Sequence, residues 1–321
     1  MIQAISVIGL SEPALTHLRL LHEHPHWQLK GLYDADVRLM QDLANQFQVK
    51  AFASLEEAIN DSQALAITGS RPGSFESAKQ AIMGGKHVYL EKPITHPLKE
   101  ARYLQNLIQE AGVVFFGAQG HRYNPAFIAA LPYLDQIDFI EINRLHAYAG
   151  SSTNSSVVLD LLMDELHLLL FLVKSNVRKI HAVGSAYVGK ESDVVNLRLE
   201  FENGCVAVIN ASRLASKKES RFKAYGKEHM VDVHLSDRVT EITKVKPHSS
   251  RSGNRVLDPG NGSPKKELAR DYPLILPTNT INDELTTFHT SVNSHRRIND
   301  SIDLAIKALE LAYAIEEKLH F

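Results

Sequence analysis

The first 120 residues alternate short apolar runs with helical stripes. Ile5-Ser6-Val7-Ile8 reads as a buried strand that Gly9 ends. Pro13 then opens a helix with Ala14, Leu15, Leu18 and Leu21 at helical spacing. Leu29 to Tyr33 predicts a second strand, stopping at Asp34, and Leu39, Leu43 and Phe47 mark the next helix. Ala64 to Thr68 reads as strand, Phe75 to Met83 as helix, and His87 to Leu90 as strand again. Strand and helix alternating at this pitch imply a parallel sheet with helices on both faces, a doubly wound, Rossmann-type fold.

Beyond residue 120 the pattern changes. Phe139 to Tyr148 is strand-like, and one apolar helix is predicted from about Val157 to Val173. Strand-length segments follow at Ile180–Val188, Val194–Phe201, Cys205–Ser212, Phe222–Tyr225 and Met230–His234, with Glu202-Asn203-Gly204 as a hairpin turn. Strands in succession argue for an open, mostly antiparallel sheet and an α+β second domain. The stretch from Lys246 to Lys266, rich in Ser, Gly, Pro and charge, predicts a long mobile loop. After Asp300-Ser301, the residues Leu304, Ala308, Leu311, Ala312, Ile315 and Leu319 form one face of a last helix. The expected organisation is a dinucleotide-binding domain over residues 1–120 and an α+β substrate and oligomerisation domain over residues 121–321. The final helix has the option of packing back on the first domain.

Composition narrows the function classes. The 321 residues are 44% hydrophobic and 22% charged, ordinary for a globular chain, and the formal net charge of −2 offers no footprint for nucleic acid. Cys205 is the one cysteine, so no internal disulfide forms and a reducing, cytoplasmic setting is expected. The most apolar stretch, Leu166–Val173, contains His167 and is far short of the roughly 20 residues a bilayer needs.

Candidate chemistry begins at the turn after the first strand. A dinucleotide turn places three small residues there, and this chain offers Gly9, Ser11 and Ala14. Asp34, 25 positions after Gly9, stands where a carboxylate accepts hydrogen bonds from ribose hydroxyls and disfavours a 2′-phosphate, so NAD is expected over NADP. The alternatives are a turn that binds nothing and an aspartate that caps a helix. Gly85-Lys86-His87-Val88-Tyr89-Leu90-Glu91-Lys92-Pro93 delivers Glu91 and Lys92 to the carboxyl end of a strand, where open α/β sheets bind ligands. A lysine there stabilises charge on a reacting hydroxyl. Asp160, Asp164 and His167, at offsets of four and seven, would share one helical face as an acid–base cluster, with His167 the preferred base because its ordinary pKa is near 6.5. The bland alternative is a buried carboxylate–histidine brace. Two carboxylates and a histidine at this spacing make a poor zinc signature, so no metal is assigned. Arg122 and Tyr123, beside Asn124-Pro125, are candidates to contact substrate. Arg213, near Lys217-Lys218, is a candidate for a substrate phosphate. His22, His24 and His26 read as a solvated loop before Trp27.

Taken together, Gly-Lys-His-Val-x-x-Glu-Lys-Pro, Arg122–Phe127, Ser156–Leu161, Phe201–Val206 and Ala211-Ser212-Arg213 resemble the Gfo/Idh/MocA oxidoreductase family over essentially the whole chain. The later segments look most like the branch containing UDP-N-acetylglucosamine 3-dehydrogenases. The resemblance implies NAD(P) in the first domain and hydride transfer at a sugar or polyol hydroxyl in the cleft between domains. It also implies an open second-domain sheet that pairs with another subunit of a homo-oligomer. The family's catalytic lysine falls on Lys92 and the aspartate of its Asp-x-x-x-His motif on Asp160. The histidine position holds Asp164, and a histidine appears one helical turn on, at His167. The family's Thr-Pro-Asn segment becomes Thr68-Gly69-Ser70-Arg71, which leaves Thr68 as a cofactor contact. The expected activity is therefore an NAD-dependent oxidoreductase acting on a CH–OH group of a sugar or nucleotide sugar. The competing reading is a catalytically silent homologue that binds a dinucleotide or sugar nucleotide.

Overall fold

The computed structural model describes residues 1–10, 14–69, 73–91, 97–148, 155–249, 254–294 and 300–319. The chain divides into two compact units: Met1–Gly120 with Thr278–Leu309, and His121–Pro277 with Glu310–Phe321.

Unit 1 is built on six strands, β1 (Gln3–Ile8), β2 (Trp27–Tyr33), β3 (Lys50–Ala51), β4 (Ala64–Ile67), β5 (His87–Leu90) and β6 (Phe115–Gly117). They lie in the order β3-β2-β1-β4-β5-β6 and every pairing is parallel. This is the doubly wound order, in which the chain switches direction beside β1. Helices α1 (Ala14–Glu23), α2 (Val37–Phe47), α3 (Leu55–Asp61), α4 (Gly73–Met83) and α5 (Leu98–Ala111) alternate with the strands. All four residues of β4 and the last four of β1 are buried, as a strand covered on both faces requires.

Unit 2 carries a nine-stranded sheet of β7 (Ile137–Leu145), β8 (Val177–Ser185), β9 (Val194–Phe201), β10 (Val206–Ser212), β11 (Glu219–Gly226), β12 (His229–His234), β13 (Val239–Pro247), β14 (Arg255–Leu257) and β15 (Lys266–Asp271). Its order is β14-β15-β13-β12-β11-β7-β10-β9-β8, antiparallel except where β7 meets β10. One face is apolar: Ile140 and Ile142 of β7, Leu197 and Leu199 of β9, Ala207 and Ile209 of β10, and Phe222 and Ala224 of β11 are all buried. Helices α6 (Pro125–Ala130), α7 (Val157–Leu161) and α8 (Met163–Val173) complete this layer. The opposite face carries an amide ladder, Asn196 to Asn210 at 2.7 Å and Asn210 to Asn143 at 3.0 Å.

Two last helices follow, α9 (Thr280–Ser294) and α10 (Asp300–Glu316). Side-chain contacts explain why α9 belongs to unit 1. Trp27 Nε1 donates to the Leu285 carbonyl at 3.0 Å and its ring stacks on Phe288. Buried Glu284 accepts from the Tyr89 hydroxyl at 2.8 Å and from the Gln119 N–H at 2.7 Å.

The structure differs from the sequence reading in four places. The segment expected as a loop over 246–266 supplies the end of β13, all of β14 and the start of β15, because its Arg255–Leu257 run pairs with Lys266–Leu268. The predicted helix over 157–173 is interrupted at Leu162, whose ψ of −5° departs from helical geometry. Residues 278–309 join unit 1, where the sequence reading ran the second domain to residue 321. His24, expected in solvent, is buried and its Nε2 lies 3.2 Å from the Thr286 hydroxyl.

Candidate active site

In unit 1 the predicted cofactor residues gather at the carboxyl ends of β1, β2 and β4. Gly9 follows β1 with φ +82°, a conformation that favours glycine. A Cβ there would land on the backbone of Gly69, so two strand-end turns press together at a point only glycine fits. Gly9 donates its N–H to the Tyr33 carbonyl at 2.9 Å, and its own carbonyl accepts from the Thr68 hydroxyl at 2.5 Å. Thr68 thus braces the turn from β4. Asp34, directly after β2, holds the same turn from the other side: Oδ2 accepts from the Leu10 N–H at 2.5 Å and Oδ1 from the Asp36 N–H at 2.7 Å. The N-cap of α2 is Asp36, whose side chain accepts from the Leu39 N–H. Asp34 is therefore not the capping residue, and its half-buried carboxylate retains lone pairs for a further donor. A glycine-only turn with a carboxylate clamped beside it at the neighbouring strand end fits the adenosine half of a dinucleotide. Glu91 directly follows β5, its N–H donating to the Ile67 carbonyl. Ser11, Lys92, Ser70 and Arg71 lie outside the described residues.

In unit 2 the break at Leu162 separates the predicted trio. Asp160 sits on α7 and is exposed, whereas Asp164 and His167 sit on α8, half-buried and buried respectively. His167 is 9% exposed and its Nε2 is buried without a hydrogen-bond partner among the described residues. Burial, aided by the charges of Arg122 and His121, pushes its pKa down to about 3. At neutral pH its ring is uncharged and too weak a base to take a hydroxyl proton, so the residue preferred from sequence is displaced from that role.

A different cluster occupies the same helix end. Glu165, in the first turn of α8 where the helix dipole favours a carboxylate, is only 2% exposed in its side chain. Its Oε1 lies 3.0 Å from His121 Nε2 and 3.3 Å from Arg144 Nε, and accepts from the Ser220 hydroxyl at 3.3 Å. His121 stands in the turn just before α6, which Asn124 caps and Pro125 opens. Burial opposes charge on both partners, yet the mutual attraction wins. His121 is raised by Glu165 and Asp164, and Glu165 is held below the usual carboxylate range by His121 and Arg144. Both shifts favour the imidazolium–carboxylate form of the pair.

The candidate substrate residues divide. Arg122 and Tyr123 are half-buried, and the Arg122 guanidinium lies over the Phe171 ring at 3.8 Å. Arg213 is instead an internal brace, 3% exposed, its Nε donating to Asp193 at 2.6 Å and its Nη1 to the Ser155 carbonyl at 2.7 Å. So placed, its Nε and Nη1 are engaged inside unit 2. Sequence reasoning passed over His121, Glu165 and Arg144. The available signal was Arg144, a charge at a position that the period-2 alternation of Ile140 and Ile142 assigns to the inner face of β7.

Comparison with known proteins agrees with the fold of both units. Residues 4–119 match "Oxidoreductase family, NAD-binding Rossmann fold", and residues 141–232 match the "GFO/IDH/MocA C-terminal domain". The chain belongs to the Gfo/Idh/MocA oxidoreductase family. The UDP-N-acetylglucosamine 3-dehydrogenase of Acidithiobacillus ferrooxidans is 28% identical over 222 residues, 67% of this chain and 69% of that protein. Its solved structure superposes with a TM-score of 0.87 at 21% identity, over 99% of this chain and 98% of the other. The myo-inositol 2-dehydrogenase of Thermotoga maritima is 22% identical over 263 residues, 75% of this chain and 77% of the relative. A levoglucosan dehydrogenase solved in complex with NADH superposes with a TM-score of 0.82 at 16% identity, covering 99% and 97% of the two chains. These likenesses at low identity establish the shared fold.

Proposed function

We propose that this Gfo/Idh/MocA protein is an NAD-dependent dehydrogenase acting on a CH–OH group of a nucleotide sugar, working as a cytoplasmic homo-oligomer. The observation that carries the reading is the Asp34 carboxylate, held against the Gly9 turn by the Leu10 and Asp36 amides. Gly9, Ser11, Asp34, Thr68 and Glu91 form the cofactor side. When bound, a nicotinamide accepts or returns a hydride at the sugar carbon. Lys92 donates to the reacting oxygen and stabilises negative charge on it. Asp160 and Asp164 supply carboxylates, and Arg122 and Tyr123 bind the sugar or its phosphates. The sugar-nucleotide assignment draws on the similarity to UDP-N-acetylglucosamine 3-dehydrogenase. The second subunit is expected on the polar face of the nine-stranded sheet, which light scattering would test as an assembly larger than 35.8 kDa.

Asp34 also sets the cofactor preference. A 2′-phosphate about 5 Å from the carboxylate meets roughly 3 kcal/mol of repulsion at an effective dielectric of 20, about a hundredfold in affinity. Calorimetry should therefore show NADH bound at micromolar concentration, NADPH far more weakly, and Asp34→Ala without the discrimination. Equal affinity for both in the wild-type protein would reject this role of Asp34. Turnover of NAD⁺ with a panel of UDP-sugars should be lost in Lys92→Ala while NADH binding persists. The Asp164 substitution in the Asp-x-x-x-His motif, with His167 neutral, favours a second reading, a silent binder. NADH binding without turnover on any sugar would select it.

A further inference from the structure

We propose that His121, positioned by Glu165, is the imidazole that exchanges the hydroxyl proton in this chain. The proposal deepens the dehydrogenase reading above and rests on it. The motif's histidine position holds Asp164, and His167, one turn on, is buried and uncharged at neutral pH. The motif thus leaves no basic imidazole on α8. His121 meets the structural requirements for the acid–base function.

One ring nitrogen is anchored. Nε2 lies 3.0 Å from Glu165 Oε1, and the same oxygen is fixed from β7 by Arg144 and from β11 by Ser220. The other carboxylate oxygen, Oε2, is buried with no hydrogen-bond partner among the described residues. The second ring nitrogen is open. The His121 side chain is 17% exposed, and Nδ1 has no hydrogen-bond partner among the described residues. An imidazole with one nitrogen on a buried carboxylate and the other open is the working arrangement of a histidine general acid–base. The carboxylate fixes the tautomer and stabilises the imidazolium.

The charges facing His121 are Glu165 and Asp164 from α8 and Arg144 from β7; His167 nearby is neutral. The carboxylates prevail, so the His121 pKa lies above its ordinary value. In the reductive direction, protonated Nδ1 gives its proton to the carbonyl oxygen as the carbon receives hydride. In the oxidative direction, the neutral ring accepts that proton from the hydroxyl. Only the proton moves through His121, and the hydride is that of the proposed reaction. Oxidation should consequently rise with pH through the pKa of His121, and Glu165 sets where that rise falls.

Three measurements on the full chain test this. Without ligands, histidine-labelled protein followed by NMR should show His121 titrating above 6.5 and moving down in Glu165→Gln, because the imidazolium loses its counter-charge. In turnover, His121→Asn should lose about a hundredfold or more while calorimetric NADH binding is retained. Glu165→Gln should shift the pH profile of oxidation toward acid, which a purely structural role would not do. If His121→Asn fails to fold, the titration and the Glu165→Gln profile decide. A wild-type His121 titrating at or below 6.5, or a folded His121→Asn with unchanged rate and pH profile, overturns the proposal and leaves the dehydrogenase standing. Wild-type protein that binds NADH yet turns over no sugar overturns both.

Discussion

Replacing His167 with leucine isolates one side chain's contribution to acid sensitivity. In the folded protein burial lowers its pKa to about 3, and in the unfolded chain the ring returns to 6.5. The folded pKa is depressed, so between the two values the unfolded state binds the extra proton and stability falls as pH falls. At pH 7.5 the ring is neutral in both states and contributes almost nothing to the difference. At pH 5 the unfolded ring is nearly fully protonated and the folded ring is not. That distance, 1.5 pH units below 6.5, is worth about 2 kcal/mol at 1.36 kcal/mol per unit. Continued to pH 3, where the folded ring is itself half protonated, the difference grows to roughly 4 kcal/mol.

The assay is urea unfolding at pH 7.5 and pH 5 for the wild-type protein and His167→Leu. The readout should be hydrogen exchange of the α8 amides, because Trp27, the only tryptophan, belongs to unit 1. Burial also depresses His24 and His289, but both are present in either protein and cancel in the comparison. The wild-type loss between the two pH values should exceed that of the variant by about 2 kcal/mol. Equal losses would refute the claim that His167 is buried as a neutral ring, and with it the argument that removes it as the base.

The remaining predictions concern packing. Gly9→Ala forces a side chain into a left-handed turn pressed on Gly69 and should cost about 2 kcal/mol or more, read as a lower melting temperature, with NADH binding lost. No change in melting temperature would mean the turn relaxes freely. Arg213→Met leaves the fully buried Asp193 carboxylate without its cation and should destabilise unit 2 by about 3 kcal/mol. A stable variant with weakened sugar-nucleotide binding would return Arg213 to the substrate side.

The fold of unit 1 was legible because its information is local. Continuous apolar runs at β1, β4 and β5, each ended by a polar or glycine residue, leave few alternatives to covered parallel strands. Unit 2 was legible as a class for a similar reason, since alternation in β9 to β12 marks a sheet with one solvated face. Two features escaped. The α9 helix has a modest apolar stripe, and its place in unit 1 depends on Trp27, Tyr89 and Glu284, whose association spans about 200 residues or more of chain. The pairing of Arg255–Leu257 with β15 is set by contact across a hairpin, which Ser- and Gly-rich composition conceals.

The site was legible in its members and illegible in their states. Helical spacing alone places Asp160, Asp164 and His167 together, and that inference fails where Leu162 interrupts the spiral and leaves Asp160 in solvent. An ordinary pKa of 6.5 made His167 the natural base, whereas burial decides protonation and burial is a property of the packed sheet and helix. Asp34 could be read because its role follows from standing at a strand end. His121 could not, because its charge depends on Glu165, 44 residues away, and on the Arg144 and Ser220 side chains that two different strands bring to the same oxygen. A motif thus names the residues that reach a site. Which of them holds a proton is settled by the second ring of contacts, and in this chain those contacts fix Glu165 against His121.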